Sequence, residues 1–295
     1  MQDHLIAKDD SSFEKKDQNS FNVKLSDKEF DKLSVYINRG YGIKLPFAKK
    51  TMLQCRLQKR LRDLNISTFA EYCDYVFSDA GREKEIIHMV DVVTTNKTDF
   101  FREPAHFLYL EEQVLPAFLQ SQSSRSFRVW SAGCSSGEEP YTLAMVLQEF
   151  FNQYSGYDYS ILGTDISSRI LEKAKNAIYT MERVANIPLE LKKKYFLKSK
   201  DPEKPLVRVQ KFLREKTSYQ RLNFMDEYYD LKSGFDAVFC RNVLIYFEKD
   251  VQEKVINRLC TKLKFGGHFF LGHSESIMGM DVPLKQLRPT VFEKI

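Results

Sequence analysis

Hydrophobic positions recur at helical spacing through roughly the first third of the chain. A capping box, Ser26 followed by Glu29, opens the first of these segments. The second segment carries four leucines on one face: Leu53, Leu57, Leu61 and Leu64. Two shorter helical patterns follow, in the stretches STFAEYCDYVF and EKEIIHMVDVVT. The pattern predicts a small all-helical N-terminal domain at residues 23–94.

After residue 105 the pattern changes, and short β-rich runs alternate with helical ones. The runs FRVWSA, YSILGTDI, TSYQRLNF, FDAVFCRN and GGHFFLGHS predict strands, with a last strand near TVFEKI. Helical patterns lie between them at 139–152, 167–178 and 249–264. Because each parallel crossover needs a helix to return the chain, residues 107–295 are predicted to form an α/β domain with a doubly wound, mostly parallel sheet. Residues 95–106 are then a linker.

The segment at 192–219 breaks this alternation. It is too long for a loop between a strand and a helix, and it contains the strand-like run LVRVQKF. We therefore predict a small antiparallel β-subdomain inserted at about 192–217.

Composition narrows the class of protein. With 43% hydrophobic residues in a length of 295, the chain can bury a sizeable core. No window approaches the roughly 18 consecutive apolar residues of a membrane helix, and the N-terminus lacks the apolar block of a signal peptide. We expect a soluble cytoplasmic protein with a disordered lead-in at 1–22 and no membrane insertion. The five cysteines are far apart and form no C-x-x-C, which argues against disulfides and a metal site.

Candidate chemistry begins at the glycine turn WSAGCSSGEEPY, between the first strand and its helix. Gly133 lets a ligand approach the backbone, but the lysine of a phosphate-binding loop is missing. Two carboxylates, Glu138 and Glu139, stand where a phosphate would otherwise bind. The second strand ends at Asp165, whose carboxylate is placed to accept hydrogen bonds from two ribose hydroxyls. The alternative is that Asp165 caps the following helix.

An adenosine ligand without phosphate fits this turn better than a dinucleotide. A dinucleotide needs a positive helix terminus facing its pyrophosphate, and Glu138 would repel phosphate. S-adenosylmethionine (SAM) instead carries a sulfonium cation and a free amino group, which an uncompensated carboxylate attracts. We therefore assign Glu138 to the methionyl ammonium. Glu139 is expected to act only as a favourable charge at a helix N-terminus, a role that also remains open for Glu138.

The fourth strand ends in FDAVFCRNVLIYF. The polar pair Arg241 and Asn242 interrupts an apolar run, which predicts that both lie at the strand tip and face the ligand. The methyltransferases that act on exocyclic amines of nucleic acids have an N-P-P-Y type tetrapeptide here, and this chain has none. Base methylation of that kind is not expected.

With these residues in hand, the chain closely resembles the chemotaxis receptor methyltransferase family (CheR-type enzymes). These enzymes use SAM to convert receptor glutamate side chains into methyl esters. The matching stretches are TTNKTDFFRE (94–103), SAGCSSGEEPYTLAM (131–145), GTDIS (163–167), LVRVQ (206–210), FDAVFCRNVLIYF (235–247) and GGHFFLGHSE (266–275). They follow the family's order and imply a helical N-terminal domain joined to a Rossmann-like SAM methyltransferase domain with an inserted β-subdomain.

The resemblance also implies roles for individual residues. The expected cofactor-binding residues, which hold SAM and then its product S-adenosylhomocysteine, are Asn96, Thr98, Arg102, Gly133, Glu138, Asp165, Asn223, Phe224, Arg241 and Asn242. Arg102 and Tyr246 are the expected catalytic residues on the substrate side. The competing interpretations are an arginine in a surface ion pair and a tyrosine packed in the core.

Mechanism follows from the acceptor group. A glutamate carboxylate, with an ordinary pKa near 4.3, is ionised at pH 7 and attacks the methyl group in line without a general base. Catalysis then consists of positioning and of water exclusion. Arg102 would orient the carboxylate, and Tyr246 would donate one more hydrogen bond.

The excess of positive charge, +5 for the whole chain, is concentrated between residues 44 and 64. This stretch contains seven basic residues and one acidic residue. Four of them are predicted to lie on the helix face away from the leucines: Arg56, Lys59, Arg60 and Arg62. The face is either simply solvated or, by the resemblance, a docking site for the acidic methyl-accepting helices of chemoreceptors. Some family members also capture a receptor C-terminal peptide at the β-subdomain, but the hairpin LKSKDPEKPLVRV lacks the glycines of such members.

Three functions stay in competition. The first, which we favour, is a monomeric receptor glutamate methyltransferase without nucleic-acid partners. The second is a SAM enzyme acting on RNA or another substrate, with the basic helix binding phosphate. The third is a signalling module that binds the cofactor without catalysis.

Overall fold

The computed structural model describes residues 23–121, 124–201 and 203–295, so the predicted lead-in at 1–22 lies outside the described residues. The N-terminal part contains α1 (Asp27–Tyr41), α2 (Lys50–Asp63), α3 (Phe69–Phe77) and α4 (Asp79–Val93). The capping box is present: Ser26 Oγ accepts the Glu29 N–H at 3.3 Å, and the Glu29 carboxylate accepts the Ser26 N–H at 2.7 Å. Gly42, with φ of 71°, ends α1.

These helices share their own core, with a buried ion pair at one side. Three of the four predicted leucines of α2 are buried and Leu64 is half-buried. Arg60 donates to Glu85 of α4 at 2.7 and 2.8 Å, and the Tyr72 hydroxyl donates to the same carboxylate at 3.0 Å. Glu85 is only 1% exposed, so these three bonds offset the cost of burying its charge.

A continuous helical run connects the linker to the sheet. It consists of α5 (Ala105–Tyr109), a π-helical turn (Leu110–Val114) and α6 (Leu115–Ser121). The hydrophobic pattern did not predict this run. It packs on one face of the sheet, where Phe107 stacks on Phe239 with ring centroids 6.0 Å apart.

Seven strands form the main sheet in the order β6-β2-β1-β7-β8-β10-β9. They are β1 (Ser126–Ala132), β2 (Asp158–Asp165), β6 (Thr217–Arg221), β7 (Phe235–Cys240), β8 (Leu263–Leu271), β9 (Leu284–Arg288) and β10 (Val291–Lys294). The first five in spatial order are parallel, and β10 runs antiparallel to both of its neighbours, β8 and β9. The pattern did not predict β9. Strand order reverses between β1 and β7, where doubly wound sheets bind ligands.

Helices cover both faces of this sheet. They include α7 (Glu138–Phe151), α8 (Ser168–Asn176) and α11 (Lys249–Lys262), close to the three helices predicted from periodicity. Side chains of β1 alternate between the two cores: Phe127 and Val129 belong to one, Trp130 and Ala132 to the other. Among the described residues no helix is both long enough and apolar enough to span a bilayer.

A separate three-stranded antiparallel sheet has the order β3-β5-β4. It consists of β3 (Ile178–Thr180), β4 (Phe196–Lys198) and β5 (Leu206–Val209), with α9 (Leu189–Tyr195) and α10 (Lys211–Glu215) beside it. The small antiparallel sheet was predicted, but its bounds were wrong, because β3 precedes the expected insertion at about 192–217. The three-residue β3 is too short for the alternating pattern to show. The predicted fold class, a helical N-terminal domain with a mostly parallel α/β domain, is confirmed.

Candidate active site

One cavity lies beyond the carboxyl ends of β1, β2 and β7, where the helical part and the linker meet the sheet. Its volume is about 1050 Å³ when the solvent space at its open mouth is included. The helical part contributes Tyr41, Met52 and Thr94, and the linker contributes residues 95–98 and Arg102. Nine of the ten predicted cofactor residues line it: Asn96, Thr98, Arg102, Gly133, Asp165, Asn223, Phe224, Arg241 and Asn242. Tyr246 lines it as well.

Glu138, the tenth, faces away from the cavity. Its carboxylate is 1% exposed, forms a short ion pair with Arg183 and accepts the Ser136 hydroxyl at 2.6 Å. Glu139 lines the cavity instead, and its carboxylate accepts Ser131 Oγ and Arg241 Nε, each at 2.7 Å. The sequence assigned the ligand to Glu138, whereas the glutamate that lines this cavity is Glu139. Neighbouring helical residues point about 100° apart, and only the tertiary structure shows which of the two faces the cavity.

Asp165 is held by the backbone at the tip of β2. One carboxylate oxygen accepts the Ser135 N–H at 2.9 Å, and the other accepts the Ser167 N–H at 3.0 Å. Burial raises the pKa of this carboxyl, while the backbone bonds oppose that rise. The cap of α8 is Ser167, whose hydroxyl accepts the Ile170 N–H at 3.2 Å. Asp165 is therefore fixed in the cavity wall, with capacity on both oxygens for further bonds.

Gly133 makes a close approach between two loops possible. Its φ is 85°, and a Cβ at this position would lie 2.3 Å from Cγ2 of Val243. A side chain here would be strained by the backbone and would collide with the loop after β7. The glycine thus brings the ends of β1 and β7 together at the switch in strand order.

Arg241 joins four elements below the cavity. Its side chain is 2% exposed and donates to Glu139, to the Arg102 carbonyl at 2.7 Å and to His106 Nδ1 at 3.1 Å. The guanidinium also lies 5.0 Å from the Phe107 ring centroid. The side chain was predicted to face the ligand. It lines the cavity, but its Nε and Nη1 donors bind other parts of the protein. It holds the linker at Arg102 against the sheet.

His106 is buried and neutral at pH 7. Burial and the neighbouring Arg241 lower its pKa to about 4. Because Nδ1 accepts from Arg241, the proton lies on Nε2 and is donated to Thr290 Oγ1 at 2.8 Å. Glu103, His106 and His273 place ligand atoms within 4.8 Å of one another. The Arg241 cation lies 3.6 Å from Glu103 Oε2 within this group, which disfavours a metal ion there.

Arg102 and Tyr246 remain available to a ligand. Arg102 donates one bond to the Lys97 carbonyl at 3.1 Å, and about a third of its side chain is exposed. The Tyr246 hydroxyl has no hydrogen-bond partner among the described residues, and the Tyr246 carbonyl accepts the Lys44 N–H at 2.9 Å. Both side chains line the cavity and have donors free for a substrate.

Asn223 links the two parts of the molecule. Its Nδ2 donates to the Gly40 carbonyl at 2.8 Å, and its Oδ1 accepts the Met225 N–H at 3.1 Å. The side chain predicted to lie by adenine is thus already bonded to α1. Phe224, beside it, is buried and offers an apolar surface to the cavity.

The predicted basic face of α2 is only partly exposed. Arg56 donates to the Val93 and Thr94 carbonyls and so fixes the start of the linker. Arg60 donates hydrogen bonds to the carboxylates of Glu85 and Asp63. These two residues are therefore not free for docking, and the exposed members are Lys59 and Arg62. Sequence periodicity separates buried from outward positions but does not show which outward arginines have partners.

Comparison with known proteins identifies the family. Residues 28–94 match the model of the CheR methyltransferase all-alpha domain, and residues 96–292 match the CheR methyltransferase SAM-binding domain. The chemotaxis protein methyltransferase of Borreliella burgdorferi is 35% identical over 94% of this chain and 98% of that protein. The protein of the same description from Escherichia coli K12 is 35% identical over 87% of each.

Among solved structures, magnesium protoporphyrin IX methyltransferase from Synechocystis with bound SAM covers 75% of this chain and 91% of that chain, at 12% identity and a TM-score of 0.32. The two family models together cover nearly all of the described chain, and the identity to the curated relatives extends over most of both proteins. This chain therefore belongs to the CheR methyltransferase family, whose cofactor is SAM.

Proposed function

We propose that this protein transfers the methyl group of SAM to glutamate side chains in the cytoplasmic helices of chemoreceptors, forming methyl esters. Membership of the family supports methyl transfer in chemotaxis. The acceptor is supported by one observation above all. A single cavity is lined by buried carboxylates, Glu139 and Asp165, and by two groups with free donors, Arg102 and Tyr246. Such a site suits a cationic cofactor and an anionic acceptor.

The two carboxylates, Glu139 and Asp165, bind different parts of the cofactor. Glu139 keeps accepting capacity beyond its bonds to Ser131 and Arg241, and we assign it to the methionyl ammonium. Asp165 accepts from the ribose hydroxyls. Phe224 provides an apolar surface for the adenine, and Asn96 and Thr98 close the linker side of the cavity.

Methyl transfer needs no proton removal. The acceptor carboxylate, ionised at pH 7, forms a bond to the methyl carbon while the carbon–sulfur bond breaks and its electron pair stays on sulfur. Arg102 orients the attacking carboxylate, and the Tyr246 hydroxyl donates a second hydrogen bond. His106 takes no part as a base, because it is buried and bonded at both nitrogens.

We assign the docking of the acceptor helix to basic residues of α2 and of the cavity lining. Lys59 and Arg62 are exposed on α2, and Lys49 and Lys97 line the cavity. Among the described residues these four side chains have no ion-pair partner, so they are open to the carboxylates of an acidic helix. Binding of this kind is weak and falls as salt concentration rises. We expect the enzyme to act as a monomer in the cytoplasm.

The test is a transfer assay with the full chain. The protein is incubated with SAM labelled on the methyl group and with membranes that hold chemoreceptors. Label on the receptor that mild alkali releases as methanol supports the proposal. Absence of alkali-labile label on every receptor contradicts it. Label on RNA instead would favour the phosphate-binding alternative.

A pair of variants locates the substrate side. Arg102→Ala should abolish transfer while cofactor affinity stays within about tenfold, because Arg102 contacts the acceptor. Arg125→Ala is the matched control, since Arg125 precedes β1 at the opposite end of the strands and stacks on Tyr157. Complete loss of cofactor binding in Arg102→Ala would place Arg102 at the cofactor.

A further inference from the structure

The loop that follows β7 carries much of the cavity wall, and its regular structure is limited to one 3₁₀ turn at Leu244–Tyr246. We define the cavity loop as residues 241–247. Arg241, Asn242, Val243 and Tyr246 all line the cavity. Asn242 has a φ of 60°, a conformation that costs free energy for a residue with a side chain. Something outside the loop must therefore fix its backbone.

The fixing group is the carboxylate of Glu275, which lies in the stretch after β8. Oε1 accepts the N–H groups of Val243 and Leu244 at 2.9 and 2.7 Å. Oε2 accepts the N–H groups of Asn242 and Gly272 at 2.8 and 2.7 Å. One carboxylate thus accepts four backbone N–H groups, three of them consecutive in the cavity loop.

This contact is built into the fold. Glu275 is 9% exposed, and burying a carboxylate costs free energy that four hydrogen bonds offset. Gly272 touches the same loop: a Cβ at this position would lie 2.5 Å from Nδ2 of Asn242 and 2.8 Å from its backbone nitrogen. Val243, in turn, packs on Gly133 across the cavity floor. The position of Glu275 therefore affects both the cavity loop and the glycine turn at Gly133.

We propose that Glu275 is a positioning residue of the methyltransferase site, which holds the cavity loop in the shape that binds the cofactor. The matching stretch GGHFFLGHSE contains this residue. The inference rests on the proposed function only in placing the cofactor in this cavity. It does not depend on the identity of the methyl acceptor.

The experiment measures the binding of S-adenosylhomocysteine to the full chain by calorimetry, well below the unfolding temperature. Glu275→Gln keeps the shape of the side chain but turns an amide N–H₂ toward two N–H donors. We expect its dissociation constant to rise at least about tenfold, since a binding site loses affinity when its loop is no longer preorganised. The matched control is Glu85→Gln, which alters a buried carboxylate of the helical part and should leave cofactor affinity unchanged.

A second variant disturbs the cavity loop without changing Glu275. Gly272→Ala pushes a Cβ against Asn242 and should weaken cofactor binding in the same direction, with the Glu275 side chain intact. An unchanged dissociation constant in a folded Glu275→Gln protein would overturn the proposal. If both variants fail to fold, as judged by circular dichroism, Glu275 serves stability alone, and the proposal is again overturned.

A reference variant separates this inference from the placement of the cofactor. Asp165 lines the same cavity, and Asp165→Asn should weaken the binding of S-adenosylhomocysteine because it alters the contact with the ribose. If Asp165→Asn weakens binding and Glu275→Gln does not, the placement holds and the role of Glu275 is rejected. If neither variant affects binding, the cofactor lies elsewhere and both ideas fail.

Discussion

Two buried arginine–glutamate pairs lie in different parts of the molecule and differ in the other residues to which they are hydrogen-bonded. Arg60 and Glu85 lie among the N-terminal helices, with Tyr72 and Asp63 as their other partners. Arg241 and Glu139 lie at the cavity, and Arg241 also bonds the linker at Arg102 and α5 at His106. The first pair bonds only to residues of one helical core. The second joins the sheet, the linker and a ligand cavity.

The difference shows that an ion pair is identified as functional by its neighbours. Both pairs compensate a buried charge, and removal of either arginine leaves a carboxylate unpaired. Only the cavity pair also sets the position of groups that meet a ligand. We therefore expect loss of stability from changes to either pair, and loss of activity from changes to the cavity pair alone.

The largest effect should come from Arg241→Ala. It leaves Glu139 unpaired and frees the Arg102 carbonyl, so the linker no longer holds its position. Methyl transfer should fall by at least about 100-fold, the scale expected when catalytic groups are misplaced by an ångström. Transfer rates measured under saturating SAM test this. A variant that loses stability but keeps full activity would remove the distinction between the pairs.

Arg60→Ala should cost about 3 kcal/mol of unfolding free energy, because Glu85 is left buried without its cation. Urea unfolding measures the loss. Cofactor affinity should stay within about twofold, since the pair does not line the cavity. A weakened cofactor affinity in the folded variant would show that the helical core is coupled to the site.

The cavity cluster contains a titratable group that the helical pair lacks. His106 has a pKa of about 4 in the folded protein, against 6.5 in an unfolded chain, so acid favours the unfolded state. The contribution of neutral His106 to the free energy of unfolding is complete above pH 6.5 and is lost as the pH falls toward 4. Between pH 7 and pH 5 this amounts to about 2 kcal/mol of unfolding free energy.

Urea unfolding of the wild type and of His106→Gln at both pH values isolates this residue from His268, whose pKa is also lowered by burial. The variant should lose about 2 kcal/mol less than the wild type over this interval. Equal losses in the two proteins would mean that His106 does not titrate as the structure indicates.

The smallest effect compares two adjacent glutamates. Glu139→Gln should raise the dissociation constant of S-adenosylhomocysteine by about tenfold, the loss of one charge-assisted hydrogen bond. Glu138→Gln should change it by less than about twofold, because Glu138 faces Arg183. Calorimetry on both variants checks the comparison. The reverse ranking would restore the first assignment of Glu138.

Much of the candidate site could be predicted from the sequence because it lies at strand ends. Apolar runs mark the strands, and polar residues that follow them, such as Asp165 and Asn242, fall at one edge of a parallel sheet. The catalytic assignment of Arg102 and Tyr246 came from the family resemblance, since nothing in local pattern distinguishes them. The roles of both as groups that act on the acceptor stay predictions.

What the sequence could not supply are partners far apart along the chain. It assigned Glu138 to the ligand and Glu139 to the helix N-terminus. Arg183, 45 residues beyond Glu138, pairs with Glu138, and Glu139 lines the cavity. It offered Arg56 as a docking residue, although the Val93 carbonyl, 37 residues away, binds it. Glu275 was visible only as part of a matching stretch, and its four backbone partners required the folded loop.

The sequence by itself determined the helical and α/β regions, the parallel order implied by alternation and the acidic glycine turn, because these depend on local periodicity and on residue chemistry. The tertiary structure decided which carboxylates face the cavity, which arginines are already paired and what fixes the loop after β7. Those outcomes depend on side-chain direction and on contacts between distant segments. Neither is encoded in the spacing of neighbouring residues.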